Sequence, residues 1–445
     1  MFIKIGPGPS SSHTIGPMKA AFHFRNLLLK LTQKKVNKAT HFKILLYGSL
    51  SATGKGHGIE RAVVSGLMGW QPADCKISEF LKIFKDKKSF YNIDINGTNI
   101  PLDYSSFDFG EIHHLFPYVN TMILQLKNRE KVILEREYYS VGGGFIEYKG
   151  EPKKNIITPR YPYRNMNSLK KILKEKNMDL IDMLIENEMA ISKLSKKDIF
   201  YKLSNILNVM IDAVDRGLNK KGVLPGPIKL HRKANVLYKK RDEKKNVFSK
   251  VFISLSAYAL AASEENAAGD IVVTAPTSGA AGVIPALVYL LKNDFEIKEE
   301  QLIKGLITAA MIAFIAKRNA SISGAEVGCQ GEIGIATSMG AAFLSQVYGY
   351  DVDVIECAAE IALEHLLGLT CDPIKGYVQI PCIERNAIAS NISYNAYVLA
   401  SNYDIKKQKI SFDQVIDVML KTGRDICLKY KETSKGGLAL CELKR

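Results

Sequence analysis

From Val251 to the end of the chain, alanine and glycine recur among apolar residues, and this pattern narrows the possible folds more than any single motif. Small side chains let helix backbones approach closely, and the stretches 257–268, 307–316, 339–344 and 354–367 carry them in apolar runs. Helical periodicity sets in after Ser168, a good N-cap. Leu169, Ile172 and Leu173 start one face, and Leu180, Met183, Leu184 and Met189 continue it. This part of the chain is expected to be mostly α-helical.

The first part reads as mixed α/β. Residues 42–47 form a short strand signal that runs into a small-residue loop, 48–58. Residues 122–126 and 132–138 flank a polar turn at 127–130 and predict a hairpin. Gly142-Gly143-Gly144 then breaks the pattern, and 150–167 holds three prolines and several charges without periodicity, as a linker does. The expected division is an α/β domain over 1–150, a linker over 151–167 and an all-α domain over 168–445.

At 445 residues the chain exceeds one ordinary core. Its 47% hydrophobic and 24% charged residues describe a globular protein. The longest uncharged run, 271–291, is broken by Pro276, Gly279, Gly282 and Pro285, which argues against a membrane span. The N-terminus lacks a long apolar segment before a cleavage site, so a cytoplasmic location is expected. The net charge of +16 is uneven: residues 251–445 hold 17 basic and 22 acidic side chains, net −5, which leaves +21 on the first 250. A basic half can attract nucleic acid. The lysines are scattered, however, as in Lys34-Lys35, Lys153-Lys154 and Lys239-Lys240, with no aromatic interleaving. A solvated basic surface is the simpler reading, with neither nucleic acid nor membrane as a partner.

Seven cysteines, an odd number, point to thiols or metal ligands rather than a disulfide framework. Cys329 follows Gly328, Cys371 precedes Asp372-Pro373, and Cys382 follows Pro381, so all three sit at turns or helix ends. Turn N–H groups can donate to thiolate sulfur and stabilise its charge. Three thiolates on a cubane cluster leave one iron free to act as a Lewis acid, although soft thiolates also suit zinc. On spacing alone, three buried free thiols explain the pattern equally well. Cys357 lies in an apolar helical run and reads as core; Cys75 and Cys427 have no context that marks them.

Further blocks accompany the cysteines in order: SSSHTIGPMKAA (10–21), LYGSLSATGKGHG (46–58), YSVGGGFI (139–146), EENAAGDIVVTAPTSGAAGVIPA (264–286), AEVGCQGEIG (325–334), LGLTCDPIKGYVQIPCIERNAIAS (367–390) and KYKETSKGGLA (429–439). Over nearly its whole length the chain resembles the single-chain iron–sulfur L-serine dehydratases of bacteria. The resemblance implies a carbon–oxygen lyase that converts L-serine to pyruvate and ammonia. It implies a 4Fe–4S cluster on Cys329, Cys371 and Cys382, a homodimer, and serine catabolism that feeds gluconeogenesis or energy metabolism.

Eliminating water from serine requires a group that polarises the C–O bond and a base for the weakly acidic α-hydrogen. His13, after Ser10-Ser11-Ser12, and His57, between Gly56 and Gly58, both read as residues of small hydroxyl- and glycine-rich loops. His57 is assigned as the base, and His13 as a site histidine that positions substrate or relays a proton. Ser11, Ser12 and Thr14 on one domain, and Asn266, Thr277, Ser278 and Gly279 on the other, are the candidates for binding substrate. Pro276 followed by small residues also builds a plain helix start. Arg385 could meet the substrate carboxylate, or pair with Glu384 or Glu326.

Three positions depart from the family. Tyr118 stands where relatives commonly have histidine. The nine residues before Ser10 are fewer than in relatives, which points to a missing N-terminal strand. Relatives also tend to place a cysteine at the extreme C-terminus that can reach the open iron; here the tail cysteine is Cys441, a possible cap, followed by four more residues. Two rival readings are a pyridoxal-phosphate lyase, for which no lysine has a convincing Schiff-base context, and a basic nucleic-acid-binding protein.

Overall fold

The computed structural model describes residues 2–150, 158–243 and 246–443. The α/β region is built on a five-stranded sheet in the order Phe107–Phe109, His41–Leu46, Thr121–Asn128, Lys131–Ser140, Ile146–Tyr148. The edge strand Phe107–Phe109 runs parallel to its neighbour and the other pairs are antiparallel. Strand His41–Leu46 alternates as its sequence demands: Phe42, Ile44 and Leu46 are buried while Lys43 and Leu45 are half-exposed. Helices Gly16–Leu28 and Ile59–Leu67 lie together beside this sheet, and Gly66 lets them meet, since a Cβ there would sit 2.3 Å from the Met18 carbonyl oxygen. A separate hairpin, Phe90–Ile95 with Thr98–Asp103, turns at Asn96-Gly97, both at positive φ. The 122–138 hairpin stands as expected, with its register shifted by an irregularity at Leu126/Lys127.

Beyond the linker the chain is helical. Helix Met166–Lys176 is capped three residues earlier than expected: Asn165 caps it, and Ser168 closes a reciprocal capping box from the third helical position. Residues 151–157 of the expected linker lie outside the described residues. Helix Ile333–Val347 is buried on nearly every side. It packs against Glu299–Asn319, Val352–Glu364 and Cys382–Asn402. An apolar helix surrounded in this way is the core of the domain.

The expectation of an all-α domain from 168 meets one exception. Strand Ile271–Thr274 pairs antiparallel with Lys4–Pro7, so the short N-terminal segment itself forms a strand and is stitched into the helical region. Ser10 to Thr14 follow directly, and this pairing carries them to the boundary between the two regions. Among the described residues, no helix is long and apolar enough to cross a membrane.

Candidate active site

The helical side of the boundary supplies sulfur. Cys329 opens the tight turn Cys329–Gly331, Cys371 bridges to Lys431, and Cys382 begins helix Cys382–Asn402. All three are buried, and all three line one cavity together with Ser10, His57, Gly279, Glu332 and Glu432. Cys329 Sγ and Cys371 Sγ lie 3.9 and 3.8 Å from Glu332 Oε2, and the ligating atoms of these three residues fall within 4.8 Å of one another. The cavity encloses about 390 Å³ of empty space, its opening to solvent included.

The donor set fits a sulfur-ligated metal centre. The Cys371 thiol is pushed well up by its contact with Cys329 and by burial, and Cys382 by burial and then Cys329. Crowded, buried thiols are relieved by a cation, which turns them into thiolate ligands. Gly324 leaves them room: a Cβ there would sit 3.0 Å from Cys371 Sγ. Arg385, one turn after Cys382, is raised despite its burial by the three neighbouring thiols, and its Nη1 donates to the Thr370 carbonyl at 2.8 Å. Neither expected ion-pair partner reaches it. Glu384 pairs with Lys233, Glu326 takes the Ser321 hydroxyl, and the carboxylate near Arg385 is Asp372, at 3.8 Å.

The α/β side supplies the histidines, and neither is in a loop. His13 sits in the helical turn Ser11–Ile15, with Ser10 accepting from its N–H. His57 closes helix Ser49–His57, which ends at left-handed Gly58. Glycines at 54 and 56 suggested a loop; packing overrides that, since a Cβ on Gly56 would sit 2.7 Å from the Gly376 carbonyl oxygen. His13 is bound at both nitrogens: Nε2 lies 3.0 Å from the Ser49 carbonyl and from Thr53 Oγ1, and Nδ1 lies 2.8 Å from Ser12 Oγ. A carbonyl only accepts, so Nε2 carries the proton and Nδ1 accepts from Ser12. His57 Nδ1 lies 3.0 Å from the Thr53 carbonyl, which places its proton there. No described residue hydrogen-bonds His57 Nε2. The rings stand 4.4 Å apart. Burial lowers His13 to about 4, and burial followed by the charge of His13 lowers His57 well below 6.5, so both rings are neutral near pH 7.

Two site carboxyls, Glu332 and Glu432, escaped the sequence analysis. Glu332 lies three residues after Cys329, and Glu432 lies in the tail block 429–439. Burial raises both above the usual carboxyl range, and each is raised further by a neighbour: Glu332 by Glu432, and Glu432 by Cys329. Glu432 joins the two walls: its N–H donates to the Cys371 carbonyl (2.6 Å), its carbonyl accepts from Ser49 Oγ (2.9 Å), and its Oε1 lies 3.6 Å from His13 Nδ1.

Of the expected substrate contacts, Gly279 lines the cavity. Thr277 Oγ1, Ser278 Oγ and Asn266 Oδ1 are buried without a hydrogen-bond partner among the described residues, whereas Asn266 Nδ2 donates to the Pro9 carbonyl at 2.9 Å. Ser12 serves His13, and Thr14 Oγ1 donates to the His57 carbonyl at 2.9 Å. Ser11 is buried in the same turn, outside the cavity lining. Tyr118 donates to Glu147 at 2.6 Å, away from the cavity. Cys441 and Cys427 are exposed, and Cys441 does not line the cavity; Cys357 is core, as expected.

Comparison with known proteins matches both regions of the chain. Residues 1–151 match the serine dehydratase beta chain and residues 175–439 the serine dehydratase alpha chain. The chain is 41% identical to an L-serine dehydratase of Haemophilus influenzae over 98% of its own length and 97% of that protein's. It is 39% identical to L-serine dehydratase 1 of Escherichia coli and 41% to an L-serine dehydratase of Streptomyces coelicolor, with the same coverage of both chains in each case.

Proposed function

Because the chain belongs to the serine dehydratase family, with beta-chain and alpha-chain regions joined in one polypeptide, we propose that it removes water from L-serine and releases pyruvate and ammonia. The observation that carries this reading is a single cavity lined by three cysteines and by a histidine whose Nε2 has no partner among the described residues. Cys329, Cys371 and Cys382 would hold a 4Fe–4S cluster, which supplies a Lewis acid for the departing hydroxyl.

The chain's own residues do the rest. His57 Nε2 takes the α-proton: the Thr53 carbonyl fixes the tautomer, and burial keeps the ring neutral. A base positioned in this way contributes ~10²- to 10⁴-fold. His13, tied at both nitrogens, is a positioning residue that packs against the His57 ring. Thr14 anchors the His57 backbone from the same turn. The free hydroxyls of Thr277 and Ser278 can donate to the substrate carboxylate, and Gly279 keeps that wall clear of a side chain. Asn266 Oδ1 can only accept. The aminoacrylate released tautomerises to an imine and hydrolyses without further catalytic groups. The same reading has the enzyme acting in the cytoplasm as a homodimer, which fractionation and light scattering would check.

The test is anaerobic purification with iron and sulfide analysis, and a pyruvate assay with L-serine before and after exposure to air. About four irons and four sulfides per chain are expected, with activity lost in air. An iron-free preparation that deaminates L-serine at an undiminished rate would rule out the cluster.

A further inference from the structure

The cavity contains two buried carboxyls, and among the described residues neither is ion-paired to a lysine or arginine. Glu332 faces the sulfurs, 3.8 and 3.9 Å from two of them. Glu432 does not. Its Oε2 is buried without a hydrogen-bond partner, and its Oε1 is beyond hydrogen-bonding distance of His13 Nδ1, which Ser12 already holds. Its backbone is clamped from both domains, by the Cys371 carbonyl on one side and the Ser49 hydroxyl on the other, and stands at a φ of +57° that side-chain-bearing residues rarely adopt. A carboxyl oxygen fixed so firmly and left without a donor is placed to meet a cation.

We propose that Glu432 recognises the α-ammonium group of the amino acid substrate. Its free Oε2 accepts from the ammonium, which holds the α-carbon between His57 and the sulfur wall. The substrate class is thereby set as α-amino acids, and the hydroxy acid of the same skeleton is disfavoured because it leaves this buried carboxyl without a partner. Site specificity of this kind is strong, because the penalty falls on the protein group that loses its partner. The inference rests on the dehydratase reading of the cavity.

The experiment uses the anaerobically purified enzyme and its Glu432→Gln and Glu432→Asp variants, with iron per chain and circular dichroism as checks on the fold. Measured quantities are the KM for L-serine and the inhibition constants of L-alanine, which keeps the ammonium and lacks the hydroxyl, and 3-hydroxypropionate, which keeps the hydroxyl and lacks the ammonium. In Glu432→Gln the KM for L-serine and the constant for L-alanine should rise together by ~10- to 100-fold. The constant for 3-hydroxypropionate should stay level or fall, and Glu432→Asp should recover part of the loss. Any other pattern, including equal weakening of both analogues or an unmoved KM, overturns the assignment. A wild-type enzyme inert toward L-serine would instead sink the dehydratase reading itself.

Discussion

The two walls of the cavity treat their polar groups in opposite ways. On the α/β side, both nitrogens of His13 and the Nδ1 of His57 are hydrogen-bonded, by Ser12, Ser49 and Thr53, and Thr14 holds the backbone of His57. On the helical side, Thr277, Ser278, Asn266 and Glu432 each keep a buried polar atom without a partner among the described residues, beside thiols that burial and mutual contact hold protonated. Buried polar groups are normally satisfied. One wall therefore satisfies its polar groups as folded, His57 Nε2 excepted, and the other keeps buried donors and acceptors unpaired among the described residues. Under the proposed function the chemistry would divide along the same line, with the base set by internal bonding and the groups that would hold cofactor and substrate on the other wall.

The contrast can be broken at its strongest point. Cys371→Ala should abolish iron binding and lower turnover by ~10³-fold or more, since a Lewis acid contributes several kcal/mol. Iron retained at the wild-type level would show that this wall is not a metal site. His57→Ala should cost ~10²- to 10⁴-fold in turnover while iron per chain stays constant, because the histidine wall is complete without the metal. Loss of iron in that variant would contradict the separation of roles.

In the iron-stripped protein the two walls should answer pH with opposite sign. Burial lowers His13 from 6.5 to about 4 in the folded state, so the unfolded chain binds the proton first. Stability from this source is complete above the unfolded pKa and falls as pH drops through that window, by up to about 3 kcal/mol. Glu332 and Glu432 are raised, so their contribution is complete below the usual carboxyl pKa and is lost as pH rises through their folded values. Urea midpoints measured across pH would show both limbs, with His13→Gln flattening the acid limb and Glu432→Gln the alkaline one. The smallest effect is expected from Thr14→Val, which removes one bond to the His57 backbone: about 1 kcal/mol, or roughly 5-fold in turnover, with iron content unmoved.

Much of the site was legible because its residues carry local signals. Glycine and proline beside Cys329, Cys371 and Cys382 mark turns that hold in the structure. The alternating pattern of 42–46 and the hairpin at 122–138 follow from periodicity. Asn96-Gly97 was an equally plain hairpin signal that the sequence analysis passed over. Residues 48–58 read as a loop because propensity favours one there, and close packing against Gly376 makes Ser49–His57 a helix instead. Glu332 and Glu432 were invisible for another reason: nothing local separates a buried glutamate from the remainder of 45 acidic residues.

The sequence alone determined the class of each region, the turns that present sulfur and the identity of the two histidines, since these depend on periodicity and on residues near in the chain. Tertiary structure decided which histidine has a free nitrogen, where the N-terminal strand goes, and which carboxyls enter the cavity. Each of those depends on partners far apart in sequence: Lys4 with Thr274, Ser49 with Glu432, Cys329 with Cys371. A hydrogen bond between distant segments, or the want of one in a buried place, is a property of packing and leaves no trace in local composition.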